Sequence, residues 1–242
     1  MSNYPELKGK VAVISGAGGN LGAAVARRLH ADGVKLALAD RNQERVHEFV
    51  HSLGIADGDA FLAPVDLSKK AEVDKFIDNI VDKFGQIDIL VNTAGGYKPG
   101  VPVHEMDESF WDSMLTLNSK TAFLLCGAVA RTMVAKGNIG RIVNVAGRAG
   151  LSAFATGAAY AAGKASMLRL TEAMSGELLS RGITVNAVLP STIDTPQNRA
   201  GEPNADFSKW VSPESIADVI AFLASDAARD ISGASIPIYG KS

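Results

Sequence analysis

The chain predicts an α/β fold: a single doubly wound parallel sheet of about seven strands, with helices on both faces. Three observations predict it. Short, nearly continuous apolar runs alternate with longer amphipathic segments from one end to the other. A glycine-rich loop, Ser15-Gly-Ala-Gly-Gly-Asn-Leu-Gly22, joins the first of those runs directly to the first amphipathic segment. No linker, repeat or low-complexity tract interrupts the 242 residues, so residues 1–242 read as one domain with ample material for a core.

The elements follow in order. Val11-Ala-Val-Ile14 is the first strand, and a helix runs from about Leu21 to Ala31. Lys35-Leu-Ala-Leu-Ala39 is the second strand, followed by a polar helix over 43–53. Ala60-Phe-Leu-Ala-Pro-Val65 is a third strand, kept short by Pro64, which has no N–H for a ladder. A helix over 71–84 leads to Ile87-Asp-Ile-Leu-Val91, the fourth strand. One long helix is expected after Met106-Asp-Glu-Ser109, ending near Lys136. Arg141-Ile-Val-Asn-Val145 is the fifth strand, and a helix carries Tyr160 to about Ser180. Thr184-Val-Asn-Ala-Val-Leu189 is the sixth strand. Ser212 caps a late helix ending near Ala224, with Pro213 at its first position. Ser235-Ile-Pro-Ile-Tyr239 is a seventh, edge-like strand.

Composition narrows the function. Twenty-four basic residues against 26 acidic ones leave a net charge of -2, which gives no footprint for nucleic acid. Cys126 is the sole cysteine, so no intrachain disulfide or cysteine metal cluster can form; its apolar helical setting reads as buried filler. His47 and His51 lie one helical turn apart, but no further ligands cluster with them, and no metal is expected. Asp74, Asp78 and Asp82, interleaved with Lys75 and Lys83, read as a solvated face. No run is long enough to span a membrane, and Met1–Lys8 has no apolar signal core, so a cytoplasmic protein is expected.

The loop at 15–22 is a candidate nucleotide site. Glycine lets a backbone turn sharply and approach a pyrophosphate, and the following helix N-terminus offers unpaired N–H groups. The arrangement is of Rossmann type. Asp40, at the end of strand two, can accept hydrogen bonds from a ribose hydroxyl and repel a 2′-phosphate; it can equally cap the next helix. NAD is therefore favoured over NADP, although Arg41 next door offers a partner for a phosphate. Farther on, Tyr160-Ala-Ala-Gly-Lys164 sets a phenol and an ammonium one helical turn apart. A tyrosine with a pKa of about 10 is a poor proton handler near neutrality. A fixed cation beside it is expected to favour the phenolate and lower that value.

On these residues the chain resembles the short-chain dehydrogenase/reductase family over essentially its whole length. The loop Gly16, Gly19, Asn20, Leu21 and Gly22 is similar to the family's TGxxxGxG, with Asn20 in place of the middle glycine. Asp66-Leu67 resembles its adenine-contacting pair, and Asn92-Thr-Ala94-Gly95 its NNAG, with Thr93 at the second asparagine. Asn118 falls where the family has a catalytic asparagine, and Tyr160 and Lys164 match YxxxK. Pro190-Ser-Thr-Ile193-Asp-Thr195 is similar to the segment that meets the nicotinamide carboxamide. The resemblance implies a nicotinamide-dependent oxidoreductase in which Tyr160 supplies the proton. It also implies that Lys164 binds the nicotinamide ribose and that Asn118 holds a water linking Lys164 to solvent. A homodimer or homotetramer through the helices at 114–134 and 158–174 is implied as well. One departure stands out: Gly147 occupies the position of the family's catalytic serine. Ser152, Thr156, Arg148 or a water are the candidate replacements. A narrower resemblance links Ala94-Gly-Gly-Tyr97, Ile193–Arg199 and Ala205–Trp210 to the dihydropteridine reductase branch, which also lacks the serine. It implies a flat, conjugated small-molecule substrate, for which Tyr97 and Trp210 are stacking candidates; the segment at about 191–211, long, polar and bearing glycine and proline, is itself expected to be a mobile lid over the substrate. A binding protein that senses the dinucleotide without catalysis is the competing reading.

Overall fold

The computed structural model describes residues 4–241; the first three residues and the last of the expected domain lie outside the described residues. Seven parallel strands form one sheet in the order β3-β2-β1-β4-β5-β6-β7. They are β1 (Val11–Ser15), β2 (Lys35–Asp40), β3 (Ala60–Pro64), β4 (Ile89–Asn92), β5 (Gly140–Val145), β6 (Ile183–Pro190) and β7 (Ser235–Ile238). The eight helices among the described residues are α1 (Asn20–Ala31), α2 (Gln43–Ser52), α3 (Lys70–Phe84), α4 (Glu108–Leu115), α5 (Thr121–Lys136), α6 (Ala158–Leu178), α7 (Pro196–Gly201) and α8 (Pro213–Ala224). Both faces of the sheet are covered, which is why the strands read as unbroken apolar runs. Alternate residues feed opposite layers. Ala12, Ile14, Leu36, Leu38, Ile89 and Val91 pack with Val25, Leu29 and Ile220 of α1 and α8. Val11, Val13, Ala37, Ala39 and Leu90 pack with Phe76, Ile80, Leu125 and Val129 of α3 and α5.

The topology positions the site. From β1 the chain moves outward to β2 and β3, then crosses back to β4 on the other side of β1. The loops after β1 and β4 therefore diverge at the carboxyl edge and leave a crevice, the usual ligand position in an open α/β sheet. Ser15 and Asn92, the last residues of β1 and β4, are register partners there, and Asn92 pairs in turn with Asn144 of β5.

Three expectations shift. The long helix is broken: α4 passes into a π-turn over Thr116–Lys120 before α5. Asn118 lies inside that turn, and its Nδ2 donates to the Met114 carbonyl at 3.1 Å, so the side chain competes for an acceptor of the helix ladder. β4 begins at Ile89 rather than Ile87, because Asp88 is drawn aside: its Oδ2 accepts the Val11 N–H at 2.8 Å. Within 191–211, the Thr195-Pro196 pair starts the short helix α7, whose N-cap is Thr195.

Candidate active site

A cleft of about 850 Å³ opens at the carboxyl edge of β1, β4, β5 and β6. On one side it is lined by Gly16, Gly18, Gly19, Leu21 and Gly22 of the loop before α1. A Cβ at Gly22 would collide with the Gly16 carbonyl, so only glycine permits the helix to start this close to the turn. Asp40 stands at the end of β2 with its carboxylate turned into the cleft. One oxygen accepts the Gly18 N–H at 2.9 Å and the other the Asn42 N–H at 2.9 Å. The cap of α2 is Asn42, which accepts from the Arg45 N–H, so Asp40 is not that cap. Arg41 and Arg45 flank Asp40 on the cleft wall. Asp66, Leu67 and Ser68 continue the wall; the Ser68 hydroxyl and amide hold the Asp66 carboxyl below the usual carboxylate range.

The other end is built around Tyr160 in the first turn of α6. Its ring lies edge to face with Tyr97, with centroids 5.3 Å apart. Lys164, one turn on, is 5% exposed, and its ammonium donates to the Val145 carbonyl at 2.9 Å. The ammonium is 5.8 Å from the Tyr160 ring centroid. The expected lowering of the Tyr160 pKa does not occur. Burial, and then the neighbouring Tyr97, raise the phenol above its ordinary value. Burial also pushes Lys164 down to about 8. Spacing alone put the cation one turn from the phenol, but desolvation is the leading influence on both groups.

Gly147 lies beside this phenol. A Cβ built on it would sit 3.8 Å from the Tyr160 hydroxyl and 3.7 Å from the Pro190 carbonyl, in ordinary van der Waals contact with both. The backbone there has φ 112 and ψ 160, a conformation essentially reserved for glycine. Ser152, Thr156 and Arg148, the expected substitutes, do not line the cleft; the Arg148 guanidinium packs over the Tyr239 ring at 5.1 Å.

A family model described as short chain dehydrogenase matches residues 10–205. The chain is a short-chain dehydrogenase/reductase. It is 34% identical to a D-threitol dehydrogenase of Mycolicibacterium smegmatis over 97% of this chain and 93% of that one. It is also 34% identical to 2,5-dichloro-2,5-cyclohexadiene-1,4-diol dehydrogenase LinX of Sphingobium indicum, over 97% of this chain and 96% of the relative. Among solved structures, NAD+-bound xylitol dehydrogenase superposes with a TM-score of 0.89 at 30% identity, covering 97% of this chain and 99% of the other. The protein is accordingly a nicotinamide-dependent oxidoreductase.

The cleft of this dehydrogenase suits such a coenzyme. It begins at a glycine loop whose tight turn onto α1 leaves no room for a Cβ at position 22, passes the Asp40 carboxylate, and ends at a phenol with no protein hydrogen-bond partner among the described residues. Of the residues expected to bind the coenzyme, Gly16, Gly19, Leu21, Asp40, Arg41, Asp66, Leu67, Ala94, Gly95, Tyr160, Lys164, Pro190 and Ile193 line the cleft. Four expected site residues do not. Asn92 is buried in the sheet, donating to Asn144 at 2.8 Å and to Cys126 at 3.1 Å, and so braces β4 against β5 and α5. Asn118 is fully buried, and its amide is engaged by Gly96 N and O, each at 3.0 Å, and by Met114. It clamps the loop after β4. Asn20 reaches across the mouth, donating to Gln197 Oε1 at 2.7 Å. Thr195 spends its hydroxyl on the Asn198 N–H as the cap of α7. Trp210, a stacking candidate, packs on Phe207 at 4.8 Å and is not part of the wall. Cleft residues that sequence reasoning passed over include Arg45, Ser68, Asp112 and Asn198. Arg45 had a readable signal, a second arginine in the first turn of the helix after Asp40; Asp112 and Asn198 lie on the broken helix and on α7.

Proposed function

We propose that this enzyme is an NAD-preferring dehydrogenase acting on a secondary alcohol or vicinal diol, and on the corresponding ketone in reverse, with Tyr160 transferring the proton. The observation that carries the reading is the Tyr160 hydroxyl, half-buried, its pKa raised by desolvation, and without a hydrogen-bond partner among the described residues, at the end of a coenzyme-shaped cleft. A phenol in that state suits donation to the oxygen of a carbonyl undergoing reduction. The bound nicotinamide would supply or accept the hydride. Lys164, close to losing its proton near neutrality, would bind the ribose beside Tyr160 and balance the charge left on the phenol. Asp40, held by two backbone N–H groups, would accept from the adenosine ribose and disfavour a 2′-phosphate. The related dehydrogenases are named for threitol, xylitol and a cyclic diol, which supports a hydroxylated small molecule as substrate. The readings as a dihydropteridine reductase or as a non-catalytic sensor draw no comparable support.

Residues 191–211 would act as a lid. Ser191, Ile193 and Asn198 face the cleft. The segment is internally braced by the Asp194–Arg199 pair at 2.6 and 2.7 Å and by the Arg199 guanidinium 4.7 Å from the Phe207 ring. Assembly as a dimer or tetramer would use α5 and α6, where Phe123 is 59% exposed. The test is absorbance at 340 nm with NAD+ or NADP+ and a panel of linear and cyclic vicinal diols. Turnover with NAD+ preferred supports the reading; folded protein that reduces neither coenzyme with any of the panel refutes it.

A further inference from the structure

We propose that Tyr97 is a second catalytic phenol, donating to the substrate oxygen the hydrogen bond that a serine at position 147 would have made. The proposal rests on the reading of Tyr160 as proton donor. A reacting oxygen beside Tyr160 needs a second donor, since charge develops on it during hydride transfer. Position 147 supplies no side chain. Several other cleft hydroxyls are turned away: Thr93 donates to the Ser15 carbonyl, Ser191 to the Tyr239 carbonyl at 2.9 Å, and Thr121 to the Leu117 carbonyl at 2.8 Å. Tyr97 differs from all of these. It lines the cleft, is 50% exposed, and its hydroxyl makes no hydrogen bond among the described residues. It is also the one hydroxyl-bearing side chain in ring contact with Tyr160 among those residues.

The surrounding backbone holds Tyr97 at this point. Its ring is gripped between Tyr160 at 5.3 Å and Phe154 at 5.9 Å, edge to face with both. Phe154 is in turn seated on Gly157, where a Cβ would lie 2.6 Å from the ring. A Cβ at Gly100 would strike the Thr156 carbonyl, so the loop after Tyr97 and the loop before α6 touch backbone to backbone. Thr156 itself has φ 63, a strained value for a β-branched residue. Strain of this kind persists where the surroundings enforce it, often beside a functional group. The two loops together fix one phenol against the other, and both residues line the cleft that Gly147 also lines.

The experiment compares Tyr97→Phe with Tyr97→Ala, using NAD+ and cis-1,2-cyclohexanediol as probe, or the best diol of the panel. Coenzyme affinity is followed separately by NADH fluorescence. Tyr160→Phe serves as control. The proposal predicts that Tyr97→Phe lowers kcat by about 10²–10³-fold, nearly as much as Tyr97→Ala, with NADH affinity unchanged. If Tyr97→Phe keeps wild-type kcat, whether or not Tyr97→Ala loses it, the hydroxyl is no donor and the proposal is overturned. A wild type that turns over while Tyr160→Phe does not leaves the reading of Tyr160 standing, and the Tyr97 variants then decide this proposal alone. Equal turnover by Tyr160→Phe would remove the reading on which the proposal rests, and with it the proposal.

Discussion

Replacing Gly147 by serine is the natural attempt to restore the family's hydroxyl, and the structure predicts that it fails. The obstacle is not space. The nearest atoms to a new Cβ are the Pro190 carbonyl oxygen at 3.7 Å and the Tyr160 hydroxyl at 3.8 Å, both ordinary contacts. The obstacle is the backbone, at φ 112 and ψ 160. A side chain forced into that region costs about 1–3 kcal/mol. For a chain of this size each kcal/mol moves the melting temperature by roughly 2–4 °C, so a drop of roughly 2–12 °C is expected. Gly147→Ala should show the same drop, because the penalty belongs to the Cβ and not to the hydroxyl. The assay is calorimetric melting of the two variants against wild type, with turnover of a diol measured alongside. A Gly147→Ser variant that melts with wild type and turns over faster would show that the loop relaxes freely, and that the missing serine is a simple side-chain loss.

Other consequences are open to direct measurement. Asp40→Ala removes an acceptor for the ribose; NAD affinity should weaken roughly 10- to 100-fold, and the preference over NADP should shrink. An unchanged coenzyme ratio would contradict the assignment. Gln197→Ala breaks the bond from Asn20 across the cleft mouth, and NADH release in stopped flow should accelerate by about 2- to 10-fold with no change in melting. Burial pushes Lys164 down to about 8 in the folded protein, well below an ordinary lysine at about 10.4, so the unfolded chain holds more protons between those values. Stability should therefore rise with pH across that window, by on the order of 3 kcal/mol relative to Lys164→Met. Tyr160, raised by burial, opposes this only as free tyrosines begin to ionise near 10. Parallel pH profiles for the two proteins in urea melts would refute the burial argument.

The fold was legible because both faces of the sheet are covered, so unbroken apolar strands and amphipathic helices alternate plainly. The glycine loop, Asp40 and the Tyr160–Lys164 pair were legible because each obeys a local spacing rule. What stayed hidden depends on contacts between distant segments. The π-turn at Asn118 follows from one side chain bonding to Met114 and Gly96, which no helical periodicity announces. Asn92 reads as a coenzyme ligand in the motif, yet its register with Asn144 makes it a brace within the sheet. The direction of the Tyr160 pKa was misjudged because spacing reveals the neighbouring cation but not the burial of both groups. Thr195-Pro196 carried a helix-start signal that was readable in advance; the bond from Asn20 to Gln197 was not.

The account depends most on the Tyr160 hydroxyl as the proton-transferring group in an enzyme whose serine position is glycine. Its most direct test is the initial rate of NADH formation at 340 nm by wild type and Tyr160→Phe, at equal coenzyme saturation with the best diol of the panel. The account predicts that the phenylalanine variant binds NADH as wild type does while its rate falls by at least about 10²-fold. Equal rates in the two proteins would contradict it.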